Sequence, residues 1–332
     1  MDGDDVVIET NMNVIMDMYE TPKLGSLEVN GKLSCLQGQP CLIQVYNFWI
    51  RQGELEIGTA AEPFESEAVI RLLGNNTQEY WAFTPQIDSG NKNLVVTGKA
   101  GLFGLARDTR TILQETAFAN DDEIRVEPGL DWVAGDYIGI ITSNAQAFAS
   151  ESFRILSYDS GTGVAVLDGE LENSHFGDRE STGKDFGGLD FRSEVVLFTR
   201  NVRIEASLDD VSYSLQDAWG CRVLVADFFE RDWSHQKGHL ELDYVEIFNC
   251  SQRETFKPAL SFEYARGGVS SVTNSAIHHG QGFGVAVVKS REVTFSNNVV
   301  YSFFEKGLKV EDSFFVTVDD NLIGHIGHTW ED

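Results

Sequence analysis

The 332 residues carry 25 basic and 52 acidic side chains, a formal charge of −27, with 31 glycines and only 6 prolines. Nucleic-acid binding draws on clustered lysine and arginine, so this balance excludes a nucleic-acid partner. It also weighs against a polyanionic glycan unless a local basic patch overrides the global field. No run of 18 apolar residues is present, so no segment is expected to insert into a membrane.

The start, MDGDDVVIE, has no basic and apolar leader, and the chain stops at HIGHTWED inside a repeating pattern. It is therefore expected to be part of a longer protein. VVIETNMNVIMD, LGSLEVNGKLSC, NFWIRQGELEIG and EAVIRLLG then alternate as strands punctuated by glycine. They fit either a compact sandwich or the first rungs of a solenoid. LEVNGKL and WIRQGELEIG, which turn at glycine and continue, favour rungs. Cys35 and Cys41 flank a Gly-Gln-Pro turn and could close a small loop, with buried thiols as the alternative. Asn75-Asn76-Thr77 is a sequon for a secreted chain.

Residues 108–190 break this texture. Antiparallel strand signals surround Asp131-Trp132 and Gly135-Asp136, and Gly161-Thr162-Gly163 is a tight turn. A small β-module inserted into, or packed on, the solenoid is expected. Asp131 and Asp136 are candidate ligand-binding carboxylates, although Asp accepting from local backbone N–H groups explains them as turn residues. HFGDRESTGKDFGGLD, 175–190, reads as a loop or lid. The chain thus divides into a glycine-rich β domain at 1–107, the module at 108–190 and a parallel β-helix at 191–332.

VVLFTRNVRIEA and CRVLVADFFE are expected to open that last part. Aligning Ser275 with Asn298 and Asn321 brings its end into register at 23 residues. Ile277 then matches Val300 and Ile323, Val272 matches Phe295 and Val318, and Val285 matches Leu308. Such a period predicts an all-β, right-handed parallel β-helix with apolar columns inward and Asn or Gly at the corners. The column Ser275, Asn298, Asn321 predicts a side-chain ladder from rung to rung. Cys221 and Cys250 are 29 residues apart, suited to neighbouring coils, and Asn249-Cys250-Ser251 is a second sequon.

The pair His278-His279 raises the question of a metal or catalytic loop. His279 and His325 fall two rungs, about 10 Å, apart, too far to share one metal ion. The adjacent pair should face opposite ways, as neighbouring strand residues do. Both are read as corner residues, and no metal site is assigned. Ser302, Glu305 and His325, within two neighbouring rungs, form the candidate hydrolytic set. Trp219, Trp233 and Tyr301 are candidate sugar-stacking residues. No cofactor is expected; calcium is the one candidate ion, through Asp319 and Asp320 or Glu311 and Asp312.

GDDVVIE, LGSLEVNGKL, FWIRQGELEIGTAAEPF and VTGKAGLFG, in this order, resemble a G8 domain, with Gly25, Gly31, Gly53, Gly58, Gly74 and Gly98 as the matching glycines. LDWVAGDYIGIITS, SESFRI, LFTRNVRIEA and YVEIFNC resemble the segment that succeeds G8 in the fibrocystin and fibrocystin-like family. The cell-migration-inducing hyaluronidase family and its transmembrane relative share the layout. The fibrocystin resemblance implies a non-catalytic module of a large surface protein of cilia, coats and epithelia, whose partners are extracellular proteins or copies of itself. The other branch implies binding and depolymerisation of hyaluronan. The expected function is therefore a structural and adhesion module, extracellular or at the cell surface. A glycan-degrading hydrolase or calcium-assisted lyase is the first alternative, and a lectin-like binder the second.

Overall fold

The computed structural model describes residues 3–77, 81–84, 87–143, 148–178, 190–207 and 219–327. Among these every regular element is a strand. The residues divide into two compact units, 1–105 with 200–332, and 106–199.

The first unit is a parallel solenoid with three faces. The first face stacks Ala68–Leu72, Val202–Ala206, Val245–Phe248, Ala276–Gly280, Val299–Phe303 and Leu322–Ile326. The second stacks Asp5–Ile8, Leu24–Val29, Asn93–Val96, Arg222–Val225, Leu260–Glu263, Phe283–Val288 and Lys306–Glu311. Strand Cys41–Ile50 bends across both faces, pairing residues 41–45 with Ala68–Leu72 and residues 47–50 with Asn93–Val96. The third face runs from Asn13–Met16 through Lys32–Cys35, Glu54–Ile57, Lys99–Phe103, His239–Asp243, Ser270–Thr273 and Arg291–Ser296 to Phe314–Asp319. The glycine-rich first hundred residues are thus rungs of the same solenoid as the last hundred.

What holds the rungs in register is a set of apolar columns. Ile43, Ile70, Ile204, Ile247, Ile277, Val300 and Ile323 stack one on the next through seven rungs. Leu27, Phe48, Leu94, Val223, Leu260, Val285 and Leu308 form the facing column. Each buried side chain of this kind contributes about 1.5–3 kcal/mol relative to exposure. Because a slip by one residue turns every such side chain outward, the columns also fix the register.

At the C-terminal end the predicted ladder is present. Asn298 Oδ1 accepts from the Ser275 N–H at 2.9 Å, and Asn321 Oδ1 accepts from the Asn298 N–H at 2.9 Å. The residue before each rung start, Tyr244, Asn274, Asn297 or Asp320, has φ of 53°, 52°, 55° or 52°. These corners are turned by left-handed non-glycine residues, a conformation that Asn and Asp tolerate better than most residues.

The chain leaves the solenoid after Lys99–Phe103 and re-enters it at Val202–Ala206. Residues 106–199 form an antiparallel sheet in the order Arg110–Ile112, Glu194–Leu197, Tyr137–Ile140, Glu151–Asp159, Val164–Leu167, Glu123–Arg125. Its separate core contains Leu113, Ile124, Trp132, Ile138 and Leu197. VVLFTRNVRIEA, expected to open the β-helix as one stretch, is split: Glu194–Leu197 pairs within the module, and Val202–Ala206 alone joins the solenoid. The four intervening residues, Phe198, Thr199, Arg200 and Asn201, carry the chain between them. Most of HFGDRESTGKDFGGLD lies outside the described residues.

Candidate functional site

The histidine pair does come together, contrary to the alternation rule. His278 Nδ1 and His279 Nδ1 are 2.8 Å apart because His279 has φ of 52°, which swings its ring back beside its neighbour. His278 Nε2 lies 3.2 Å from Glu246 Oε1, and Glu246 Oε2 accepts from the Arg200 N–H at 3.0 Å. Burial pushes Glu246 up, but the His278 bond, the Arg203 charge and the Arg200 N–H outweigh it and hold the carboxyl below its ordinary value. Burial likewise holds His278 below its own. The arrangement is an ionised carboxylate facing a neutral imidazole, which donates from Nε2 and accepts at Nδ1 from His279.

Ser302 and His325 continue the His279 column, with φ of 59° and 55°. Tyr301 stands between histidines, its ring 5.6 Å from His279 and stacked 5.3 Å from His325. Glu305 sits at the next corner, where its N–H donates to Gly282 O at 3.2 Å. Burial raises it above the ordinary carboxylate value, and its charged neighbours are Lys306, Arg253 and Glu254. Among the described residues no three His, Cys, Asp or Glu side chains are placed to hold a metal ion.

The other predicted residues separate by exposure. Tyr301 is 2% exposed, so it is a packing residue rather than a sugar platform, whereas Trp219 is half-buried and donates its indole N–H to Asn91 Oδ1 at 2.8 Å. Trp233 is 83% exposed, with φ of 69°. Arg107 donates to Asp131 Oδ2 at 2.9 Å and to Asp136 Oδ2 at 2.8 Å, and Asp136 also accepts from the Val133 N–H. That makes the two aspartates a clamp on their turn. Cys35 is bonded to Cys41 and Cys221 to Cys250, the second pair on adjoining rungs. Asn249 is corrected as a glycosylation site: it is 3% exposed, with its amide nitrogen buried, leaving no room for a glycan on the folded chain. Asn75 is partly exposed, and its Oδ1 accepts from the Thr77 N–H and hydroxyl at 2.9 and 2.7 Å.

A groove that the single-residue reading missed lies at the corner between the second and third faces. Its floor is a glycine column. A Cβ on Gly31 would sit 2.3 Å from Met12 O, one on Gly53 2.1 Å from Gly31 O, and one on Gly98 2.5 Å from Gly53 O. Because no side chain fits there, a trough remains whose two halves, about 620 and 720 Å³, share Thr10, Asn30 and Gln52. Gln52 Nε2 donates to Asn30 Oδ1 and Thr10 Oγ1, both at 3.3 Å. One wall is the hairpin of Phe228–Phe229 and His235–Gln236. Arg51 fastens it by two 2.7 Å bonds to Glu230, and Trp49 meets Phe228 edge-on at 6.0 Å. Trp233 stands between the hairpin's two strands. Lys32, Lys99 and Lys237 line the 620 Å³ half against a single glutamate, Glu54. The signal for this site was a repeated tripeptide: Asn30-Gly31-Lys32, Gln52-Gly53-Glu54, Thr97-Gly98-Lys99 and Lys237-Gly238-His239.

The chain is therefore a parallel β-helix protein whose N-terminal rungs turn on stacked glycines. Its sequence matches the G8 domain over residues 1–114 and the right-handed β-helix region over residues 237–329, as the family resemblance implied. It is similar to fibrocystin-L of Mus musculus, 27% identical over 272 residues, which are 79% of this chain and 6% of that protein. The human fibrocystin-L match covers the same shares at 26% identity. Fibrocystin of Canis lupus familiaris is 26% identical over 325 residues, 97% of this chain and 8% of that protein. This chain thus spans less than a tenth of these relatives. Among solved structures, the tailspike gp61 of Pseudomonas phage phi297 covers 84% of this chain and 39% of its own at 11% identity, with a TM-score of 0.29, too low to bear on function.

Proposed function

We propose that this chain is a non-catalytic structural and adhesion module of a fibrocystin-like protein, working as a stiff segment of an extracellular or cell-surface ectodomain. The observation that carries the reading is the continuous apolar column from Ile43 to Ile323, which makes one rod of both matched regions. Its stability is approximately a sum of nearest-neighbour rung contacts, a design suited to spacing and bearing load. The two disulfides favour an oxidising compartment, and Asn75 is the residue on which a glycan would fit.

A hydrolase or lyase reading would need Ser302, Glu305 and His325 to act together. Ser302 is buried and Glu305 belongs to the next corner, which supports the non-catalytic reading. The test is incubation of the secreted chain with hyaluronan, chondroitin and a neutral polysaccharide, with and without calcium, reading polymer length. Unchanged length is the expected result. Shortening that disappears in Ser302→Ala, Glu305→Ala or His325→Ala would overturn the proposal and place an active site on those rungs. Shortening that survives all three would overturn it as well, with the site elsewhere.

A further inference from the structure

We infer that the lysine-lined half of the glycine-floored groove is a binding site for an extended acidic oligosaccharide; the other half, with Glu9, Glu230 and Asp232 against Arg51 and Arg231, is not. This rests on the reading of the chain as a non-catalytic adhesion module, and it names what that module would hold.

Charge is the first argument. In a chain with twice as many acids as bases, a lysine side chain with no partner of any kind stands out. Lys23, Lys32, Lys92, Lys257, Lys289, Lys306 and Lys309 each have a partner. The side chains of Lys99 and Lys237 have no ion pair or hydrogen bond among the described residues, and both line the same half of the groove. Lys32, two rungs from Lys99 in the same column, is held by Glu54 and Glu56, which leaves Lys99 and Lys237, on adjoining rungs, as the cations on offer. Two cations on adjoining rungs suit an anionic chain laid along the rungs rather than a single small anion.

Shape and hydrogen bonding supply the second argument. The corner N–H groups are already used: Gly53 and Gly98 donate to Val29 O and Ile50 O, and Glu54 and Lys99 donate to Gly31 O and Gly53 O. A peptide therefore finds no free edge on which to add a strand. The trough instead offers side-chain amides from Asn30, Gln52 and Gln236, which suit hydroxyl groups, and the exposed Trp233 lies in the chain between Asp232 and Ser234, which line its other half. Amides, an exposed tryptophan and unpaired lysines together fit an acidic sugar chain. The overall charge of −27 repels long polyanions, whereas lysines within about 8 Å of a bound carboxylate act inside the screening length.

The experiment measures binding of oligogalacturonate to the intact chain, beside its methyl-esterified form of the same backbone without charge, and polyglutamate as a peptide polyanion. Oligogalacturonate should bind about tenfold more tightly than the ester. Lys99→Gln with Lys237→Gln should remove about that factor, and Trp233→Ala about fivefold. All three residues are exposed, so the variants should keep the parent's unfolding midpoint, which is measured alongside. Equal binding of the ester, tighter binding of polyglutamate, or no change in the lysine variant would each overturn the site. Shortening of the bound oligosaccharide would instead overturn the non-catalytic reading, and is seen separately in product length.

Discussion

The solenoid closes one corner in two ways, and the contrast separates its halves. Between the second and third faces, the N-terminal rungs turn on Gly31, Gly53, Gly98 and Gly238, whose neighbours' carbonyls occupy the space of a side chain. Further along, the same corner turns on Lys289-Ser290 and Asp312-Ser313, where φ is 49° at both the lysine and the aspartate. There Ser290 Oγ accepts from the Ala265 N–H at 3.0 Å, and Ser313 Oγ from the Ser290 N–H at 3.1 Å. The serine corner fills itself with its own hydrogen bonds, whereas the glycine corner leaves a trough. A rung that needs only to stack can use the first solution; one that presents a surface gains from the second.

The sharpest way to break this contrast is Gly53→Ala. Its methyl group would meet Gly31 O at 2.1 Å, and the backbone of two rungs must part, at about 3 kcal/mol. Ser290→Ala at the equivalent corner should lose about 1 kcal/mol, since two hydrogen bonds go but no atom clashes. Chemical denaturation of both variants checks the ordering, and equal losses would mean that the glycines are not required by close approach. Next in size, Asn298→Ala strips partners from the buried Ser275 N–H and Val272 C=O, for about 2 kcal/mol. A loss confined to the rungs around 275–321 in hydrogen exchange would show that the ladder acts locally.

The smallest effect is one of pH. Burial keeps His278 neutral below its ordinary 6.5, so the unfolded chain binds a proton that the folded chain refuses. Stability is full above that value and declines as the pH falls through it. Glu246, held below 4.5, extends the loss into the more acidic range as its carboxylate takes up a proton. Unfolding midpoints between pH 7.5 and 5 should fall in the parent and stay flatter in His278→Gln. A midpoint that rises on acidification would mean that His278 is charged in the folded chain.

Much of the fold was legible because apolar columns and the 23-residue period are written in local sequence. Ile277, Val300 and Ile323, and the ladder of Ser275, Asn298 and Asn321, sit where periodicity puts them. The approach of His278 to His279 was not, because a single left-handed residue cancels the strand's alternation and nothing in a histidine's identity announces it. The groove was harder still. Lys32, Lys99 and Lys237 are spread over more than two hundred residues, interrupted by residues 106–199, and only the stacking of Gly31, Gly53, Gly98 and Gly238 brings them to one trough. Asn249 was misread for the opposite reason: a sequon is local, while burial is set by the neighbouring rung.

Asn201 carries a consequence of another kind. Its amide donates to Phe64 O at 2.6 Å and Ser66 O at 2.8 Å, and its Oδ1 accepts from the Leu105 N–H at 2.8 Å. One side chain therefore buckles together the two ends of the solenoid chain between which ninety-four residues depart and return. With the exit and the re-entry fastened to each other, the rung sequence reads through the interruption as though it were a short turn. Evolution can lengthen, exchange or delete what hangs from such a buckle without renegotiating the columns on either side. Protein engineers inherit the same freedom, since a foreign domain whose termini lie close together could be grafted between Leu105 and Arg200 with the rod left to fold on its own terms.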